Sequence, residues 1–140
     1  MGHGTLVDSN VLLDVLTADE AWFAWSADAL AAAAEVGPLL VNAVIYAEVS
    51  VRFTRIEDLD DALSPSDYRR LELPWEAAFL AGKVFLDYRR NEGTKSSPLP
   101  DFFIGAHAAV AGMRLLTRDT GRYRTYFPTV ELVAPGSAGA

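Results

Sequence analysis

A three-layer α/β/α sandwich with a central, mainly parallel sheet is the fold that the 140-residue sequence predicts. Short apolar runs of strand length alternate with longer helix-forming segments along the chain. Strands that alternate with helices pair in parallel through right-handed crossovers, which place helices on both faces of the sheet. The length and a hydrophobic content of 51% suit one core. We therefore expect a single domain over residues 1–135 and a disordered tail over 136–140.

The first half of the chain predicts two buried strands, at residues 5–7 and 39–42, because both runs are short and apolar. Gly37 and Pro38 end the helix before the second strand, and Asn42 is placed to cap the helix after it. The helices expected in this half cover residues 9–16, 22–36, 43–54 and 56–64.

The second half continues the alternation with an edge strand, two long helices and two further strands. The helix over 101–113 is rich in small residues, so it can lie close against the sheet. The expected strands cover residues 68–73, 114–117 and 130–133, and the expected helices cover 75–93 and 101–113.

Composition excludes several classes of site and location. The chain has no cysteine, which excludes disulfides, thiolate metal sites and cysteine nucleophiles. The N-terminus lacks a basic region, and Asp8 interrupts its first apolar run, which argues against a signal peptide. No apolar run reaches the roughly 18 residues of a membrane span. We expect a cytoplasmic protein with no membrane partner.

The formal net charge of -7 argues against nucleic acid as a partner, but the charges are unevenly distributed. Residues 1–67 contain twelve acids and two bases, whereas residues 68–140 contain seven acids and ten bases. The second half can therefore present a basic rim, although such charges are also typical of an ordinary solvated surface. The candidates for this rim are Arg69, Arg70, Arg89, Arg90, Lys95, Arg114, Arg118, Arg122 and Arg124.

Four acids lie where the carboxyl ends of the predicted strands meet, which is the edge where open parallel sheets bind ligands. They are Asp8, Glu48, Asp101 and Asp119. Each has a simpler interpretation. The three aspartates precede helical segments and could be N-caps, and Glu48 could pair with Arg52 one turn later. However, Glu48 lies in an otherwise apolar helix, where a carboxylate needs a partner or a cation to stay charged.

Convergence of these acids has an electrostatic consequence. Two carboxylates about 5 Å apart repel by roughly 3 kcal/mol at an effective dielectric near 20, so an empty cluster is strained or partly protonated. A divalent cation relieves that repulsion. An all-oxygen site without cysteine or paired histidine favours Mg²⁺ or Mn²⁺.

The ordered motifs VDSN, YAEV, LPDFFIGAHA and LLTRD give the sequence a recognisable pattern from Thr5 to about Pro135. In this order and at these separations, they resemble the PIN-domain family, and most closely its VapC-type toxins of bacterial toxin–antitoxin pairs. The resemblance assigns the family's four metal-site acids to Asp8, Glu48, Asp101 and Asp119. Ser9 and Asn10 match a small polar pair that is often Thr-Asn, so Ser9 is a mild departure.

The resemblance implies a Mg²⁺- or Mn²⁺-dependent endoribonuclease, in which a metal-activated water attacks a phosphodiester. It implies that Ser9, Asn10 and Thr117 orient carboxylates or substrate. Arg118 and Arg122 could contact RNA phosphates, although a surface role is at least as compatible with the sequence.

The resemblance also implies two protein partners, a cognate antitoxin and a second copy of the chain in a homodimer. Trp22, Phe23 and Trp25 cannot all face one core stripe of the helix over 22–36. At least one of them is therefore expected at a partner surface. If all three were fully buried in the isolated chain, this expectation would be wrong.

A second function is compatible with the same scaffold, namely a non-catalytic PIN-fold module that acts through protein or RNA contacts alone. A phosphatase or receiver-type pocket is disfavoured, because Asn10 stands where a second aspartate would be needed. A dinucleotide site is excluded by the lack of G-x-G-x-x-G after the first strand. His107 is expected in the core or at a dimer contact, since no Ser-His-Asp arrangement is evident.

Overall fold

Five parallel strands form the centre of the computed structural model, which describes residues 4–91 and 99–136. The strands are β1 (Thr5–Val7), β2 (Leu39–Asn42), β3 (Tyr68–Leu71), β4 (Arg114–Leu116) and β5 (Leu132–Val133). The helices are α1 (Ser9–Leu16), α2 (Phe23–Val36), α3 (Ala43–Ser50), α4 (Ile56–Ala62), α5 (Trp75–Asn91), α6 (Pro100–Ala111) and α7 (Gly121–Tyr126). The predicted α/β/α fold with a mainly parallel sheet is confirmed.

The strand order β3-β2-β1-β4-β5 puts the first strand in the middle of the sheet. In β1, Leu6 pairs with Leu40 of β2 on one side and with Leu115 of β4 on the other. The chain thus adds β2 and β3 on one side of β1 and then β4 and β5 on the other side. The carboxyl ends of β1 and β4 therefore adjoin at the point where strand order reverses, the usual ligand position in such sheets.

The core lies between the sheet and the helices and is built from the apolar residues of the strands. Leu6, Val7 and Leu115 are completely buried. Helix α6 packs closely against Phe127 at the end of α7, because the Phe127 ring fills the space that a Cβ at Gly105 would need. A side chain at that position would push α6 away from α7 and from the site described below.

Several predicted boundaries differ from the structure. Helix α3 ends at Ser50 rather than at residue 54, and the Ser50 hydroxyl donates to the Ala47 carbonyl at 2.6 Å, so it competes for a helical acceptor. Strand β3 is the edge strand that was expected but ends at Leu71. Strand β5 is limited to Leu132–Val133.

Some predictions concern residues outside the described ranges. These are the end of the fifth helix at Gly93, Lys95 of the proposed basic rim, and residues 137–140 of the predicted tail. Across the part of the chain that the structure describes, no helix combines the length and hydropathy required to cross a membrane.

Candidate metal centre

Asp8 lies at the carboxyl end of β1, where its backbone N–H donates to the Leu116 carbonyl of β4 at 2.9 Å. Its Oδ1 accepts from the Ser9 backbone N–H at 2.7 Å, so Asp8 does cap α1. The capping interpretation and the site interpretation are therefore both compatible with the geometry, because capping uses only one carboxylate oxygen. The side chain is only 3% exposed.

The second oxygen of Asp8, Oδ2, is surrounded by hydrogen-bond donors from three elements. Thr117 Oγ1 donates to it at 2.9 Å, Tyr123 Oη at 3.0 Å and Asn10 Nδ2 at 3.5 Å. Burial nevertheless raises the pKa of Asp8 to about 6, and the nearby charge of Asp101 adds to that rise. The hydrogen bonds to Asp8 therefore do not fully offset the cost of burying its ionised carboxylate.

Glu48 faces the same site from α3. Its Oε1 accepts from the Ser9 hydroxyl at 2.8 Å, and the same hydroxyl lies 3.5 Å from Asp8 Oδ1. The alternative salt bridge to Arg52 is not formed among the described residues. Partial burial raises the pKa of Glu48, and the Asp101 charge raises it further.

Asp101 lies in the first turn of α6, directly after Pro100. It is not the N-cap, a position that Leu99 occupies without a side-chain hydrogen bond. Its Oδ1 lies 3.4 Å from Tyr123 Oη, and its Oδ2 lies 3.5 Å from Arg122 Nη1. Burial raises the pKa of Asp101 although the Arg122 charge opposes this, and the Asp119 charge adds to the rise.

Asp119 is the most peripheral of the four acids and is exposed, in the loop between β4 and α7. Its backbone N–H donates to Thr117 Oγ1 at 3.1 Å, and its Oδ1 accepts from the Gly121 N–H at 3.4 Å. Its charge still reaches the cluster, as its effect on the pKa of Asp101 demonstrates.

The four acids provide a suitable donor set for a cation rather than a finished coordination sphere. Within residues 4–91 and 99–136, no three acidic or histidine side chains are arranged so that they could hold a metal ion as they stand. The donors are nevertheless all carboxylate oxygens, and Asp101 raises the pKa of both Asp8 and Glu48. Mutual repulsion in an all-oxygen set is the chemistry that fits a hard divalent cation.

Tyr123 of α7 belongs to this site but was missed from the sequence. It is 1% exposed, and its hydroxyl lies between Asp8 Oδ2 and Asp101 Oδ1. Its single hydroxyl proton can thus be donated to either carboxylate. Burial, followed by the charges of those acids, raises the pKa of Tyr123, so the phenol stays protonated. In the sequence, this residue cannot be distinguished from a core aromatic.

Arg118 and Arg122, the two predicted phosphate contacts, have different surroundings. Arg118 donates from Nε to Asp14 Oδ2 at 2.7 Å and from Nη2 to Asp14 Oδ1 at 3.0 Å. Its guanidinium also lies over the Trp22 ring, 5.3 Å from the centroid. Arg122 instead stands beside Asp101 at the rim of the acidic cluster. A phosphate contact stays a prediction for both, but the structure gives Arg118 a role in holding Asp14.

His107 lies in the core, as one of its two predicted locations. It is 2% exposed, and its Nδ1 is 3.0 Å from Asn42 Nδ2. Because an amide nitrogen only donates, Nδ1 is assigned as the acceptor and the proton to Nε2. Asn42 Oδ1 accepts from the Ile45 N–H at 2.9 Å, which confirms the predicted cap of α3.

Comparison with known proteins identifies the family whose sequence pattern the chain follows. The model of the PIN domain matches residues 5–128, which include all four acids of the site and Tyr123. No curated protein is significantly similar to the chain in sequence.

Solved structures with the same fold include several toxin–antitoxin complexes. One is VapBC2 from Rickettsia felis, solved with a DNA fragment from its promoter. It has a TM-score of 0.69 at 13% identity, and the match covers 93% of this chain and 97% of that chain. A toxin–antitoxin complex from Klebsiella pneumoniae has a TM-score of 0.67 at 21% identity, with coverages of 94% and 98%. VapBC-1 from nontypeable Haemophilus influenzae has a TM-score of 0.69 at 14% identity, and the match covers 93% of this chain and 96% of that chain. At these identities, the similarity establishes the fold alone.

Proposed function

Because the chain belongs to the PIN-domain family, we propose that it is a metal-dependent endoribonuclease of the VapC toxin type, inhibited by a cognate antitoxin. The observation that carries the proposal is the convergence of Asp8, Glu48 and Asp101 at one sheet edge. There Asp8 is buried without a lysine or arginine partner among the described residues. Such an arrangement costs stability, which is hard to explain if the site has no ionic ligand.

Asp8, Glu48, Asp101 and Asp119 are the residues that would hold Mg²⁺ or Mn²⁺. The chemistry that a bound divalent cation supplies is activation of a water molecule and neutralisation of charge on the phosphate. Asn10 and Thr117 orient Asp8 through its Oδ2, and Ser9 joins Glu48 to Asp8. These contacts hold the carboxylates in one orientation before any ligand enters.

The basic side chains near the cluster favour a polyanionic substrate. Arg122 stands at the rim beside Asp101, and Arg124 is exposed on the same short helix. We propose that Arg122 contacts a phosphate of the bound RNA. If it does, RNA binding should weaken as the salt concentration rises, because phosphate contacts release counterions.

The direct test is cleavage of a structured RNA by purified protein with Mg²⁺, with Mn²⁺ and with a chelator. Asp8→Asn is expected to lower the rate by at least about 100-fold, more than the 10–100-fold typical of groups that only orient a ligand. Asp61→Asn is the matched control, because it makes the same change at an exposed aspartate of α4. Cleavage that survives chelation or Asp8→Asn would overturn the proposal.

A second candidate function is a non-catalytic PIN-fold binding module. The observation that favours it is that no three acidic or histidine side chains among the described residues are arranged to hold a metal ion. The same assay separates the two functions. A module of this kind would bind RNA or protein equally well with and without Asp8→Asn and would cleave nothing.

The proposed antitoxin surface is the N-terminal end of α2. Trp22 and Trp25 are half-buried and meet edge to face at 6.2 Å, while Phe23 is 42% exposed. The three aromatics are thus not all buried, so this end of α2 is available to a partner. Phe23→Ser should weaken capture of the antitoxin without changing RNA cleavage by the free protein.

We also propose a homodimer, with α5 as the contact surface. Trp75 is 89% exposed, Phe79 69% and Leu86 47%, and their spacing places them on one face of the helix. Analytical ultracentrifugation of the wild type and of Phe79→Ser tests this surface. We expect a dimer that the substitution dissociates; a monomeric wild type would contradict the proposed homodimer.

A further inference from the structure

An ion pair between buried Asp14 and partly exposed Arg118 lies outside the acidic cluster. Asp14, at the far end of α1, is 2% exposed and receives the two hydrogen bonds from Arg118. The Ser26 hydroxyl of α2 also donates to Asp14 Oδ2, at 2.7 Å. The pair therefore ties α1 and α2 to the loop that follows β4.

This pair is poorly explained as a source of stability. Burying a carboxylate costs free energy that its pairing only roughly offsets, and apolar residues of similar volume often serve as well. What a two-point contact supplies is geometry, since a guanidinium held at two nitrogens has one orientation. The Trp22 ring over Arg118 restricts the guanidinium further.

Arg118 is the residue directly before Asp119, the most exposed acid of the site. The backbone N–H of Arg118 donates to Asn10 Oδ1 at 3.4 Å, which is a weak contact. The Asp119 backbone is held by the Thr117 hydroxyl, which accepts from its N–H at 3.1 Å and lies 3.2 Å from its carbonyl oxygen. The charged, two-point pairing of Arg118 with Asp14 is a stronger link between this loop and α1 than these neutral contacts are.

We propose that Asp14 is a positioning residue: by holding Arg118, it orders the loop between β4 and α7 and keeps Asp119 at the edge of the acidic cluster. This inference rests on the proposed metal site. Asp14 would not touch the metal ion itself. It would instead control how well Asp119, 105 positions later in the chain, contributes to metal binding.

Backbone dynamics of the metal-free protein provide the first test. In Asp14→Asn, we expect the NMR order parameters of Arg118 and Asp119 to fall from about 0.85 to about 0.6 or less, the range of flexible loops. Those of Leu115 and Leu116 in β4 should not change. Unchanged values at Arg118 and Asp119 in a folded Asp14→Asn protein would overturn the proposal.

A double-mutant cycle in Mn²⁺ affinity, measured by calorimetry, provides the second test. We expect Asp119→Asn to weaken Mn²⁺ binding at least 5-fold in the wild type but less than 2-fold when Asp14→Asn is also present. A merely structural role for Asp14 predicts the same loss in both backgrounds, and that result would overturn the inference.

The control is Ser26→Ala, which removes one hydrogen bond to Asp14 but leaves its pairing with Arg118. It should lower the melting temperature without changing the order parameters of the loop. If the wild type binds no Mn²⁺, the proposed metal site fails, whereas the order parameters still decide whether Asp14 orders the loop.

Discussion

Asp8 and Asp14 stand at the two ends of α1 and are almost equally buried, at 3% and 2% exposed, yet their surroundings differ. Asp14 accepts two hydrogen bonds from the Arg118 guanidinium. Among the described residues, Asp8 accepts hydrogen bonds only from neutral groups, and it lies near the charge of Asp101. A buried acid with its own cation serves the fold, whereas one without a cation leaves a place that an external cation can occupy.

The largest effect should come from breaking the structural pair. Arg118→Ala leaves the Asp14 charge buried and uncompensated, which is expected to cost about 3 kcal/mol of unfolding free energy. Urea denaturation of the metal-free protein measures it, provided that the slope with denaturant is unchanged. A cost below about 1 kcal/mol would mean that pairing with Arg118 does not compensate the buried charge of Asp14.

At the other end of α1, removing a charge should have the opposite sign. Asp8→Asn keeps a side chain that can cap the helix but removes an ionised group from a buried position. We expect the variant to be more stable than the wild type by up to about 3 kcal/mol in EDTA at pH 7, because the pKa of Asp8 is raised from 3.8 to about 6. Destabilisation by Asp8→Asn under these conditions would contradict the electrostatic account.

The pH dependence sharpens this prediction. Because the pKa of Asp8 is raised from 3.8 to about 6 in the folded state, protonation of Asp8 stabilises the fold at low pH. That stabilisation is fully present below pH 3.8 and is lost as the pH rises through about 6. The stability difference between Asp8→Asn and the wild type should therefore be near zero at pH 4 and reach its full value by pH 7. Urea titrations in EDTA at several pH values measure it; a constant difference would contradict the assignment to Asp8.

The smallest effect is expected at Tyr123. Tyr123→Phe removes the hydroxyl shared by Asp8 and Asp101 but keeps the buried ring. In EDTA, the loss should be about 1 kcal/mol, typical of one hydrogen bond. Thermal denaturation of the wild type and the variant is a sufficient measurement. No loss at all would show that the phenol does not screen the carboxylates.

Much of this molecule could be predicted from its sequence, because the strands are short apolar runs and the acids interrupt them. Asp8 and Glu48 were identifiable since a carboxylate in an apolar segment needs an explanation. The same signal was present at Asp14, in the apolar helix α1, but its partner Arg118 is 104 positions away. Only the tertiary structure distinguishes the acid that has a cation from the acid that lacks one.

The parts that could not be predicted depend on where side chains meet. Tyr123 reaches Asp8 from α7, which packs against α6, and nothing in the local pattern of a six-residue helix reveals this contact. The end of α3 at Ser50 depends on a hydroxyl that bonds to its own helix. The fold follows from periodicity, whereas the site also follows from contacts between distant segments.

Binding of Mn²⁺ to the metal-free protein, followed by isothermal titration calorimetry at pH 7, tests the central claim most directly. We predict one saturable site in the wild type and in Asp61→Asn, and binding at least 10-fold weaker in Asp8→Asn. Equal affinity in Asp8→Asn and the wild type, or no binding by the wild type, would contradict the claim that the crowded carboxylates at the end of β1 form a cation site.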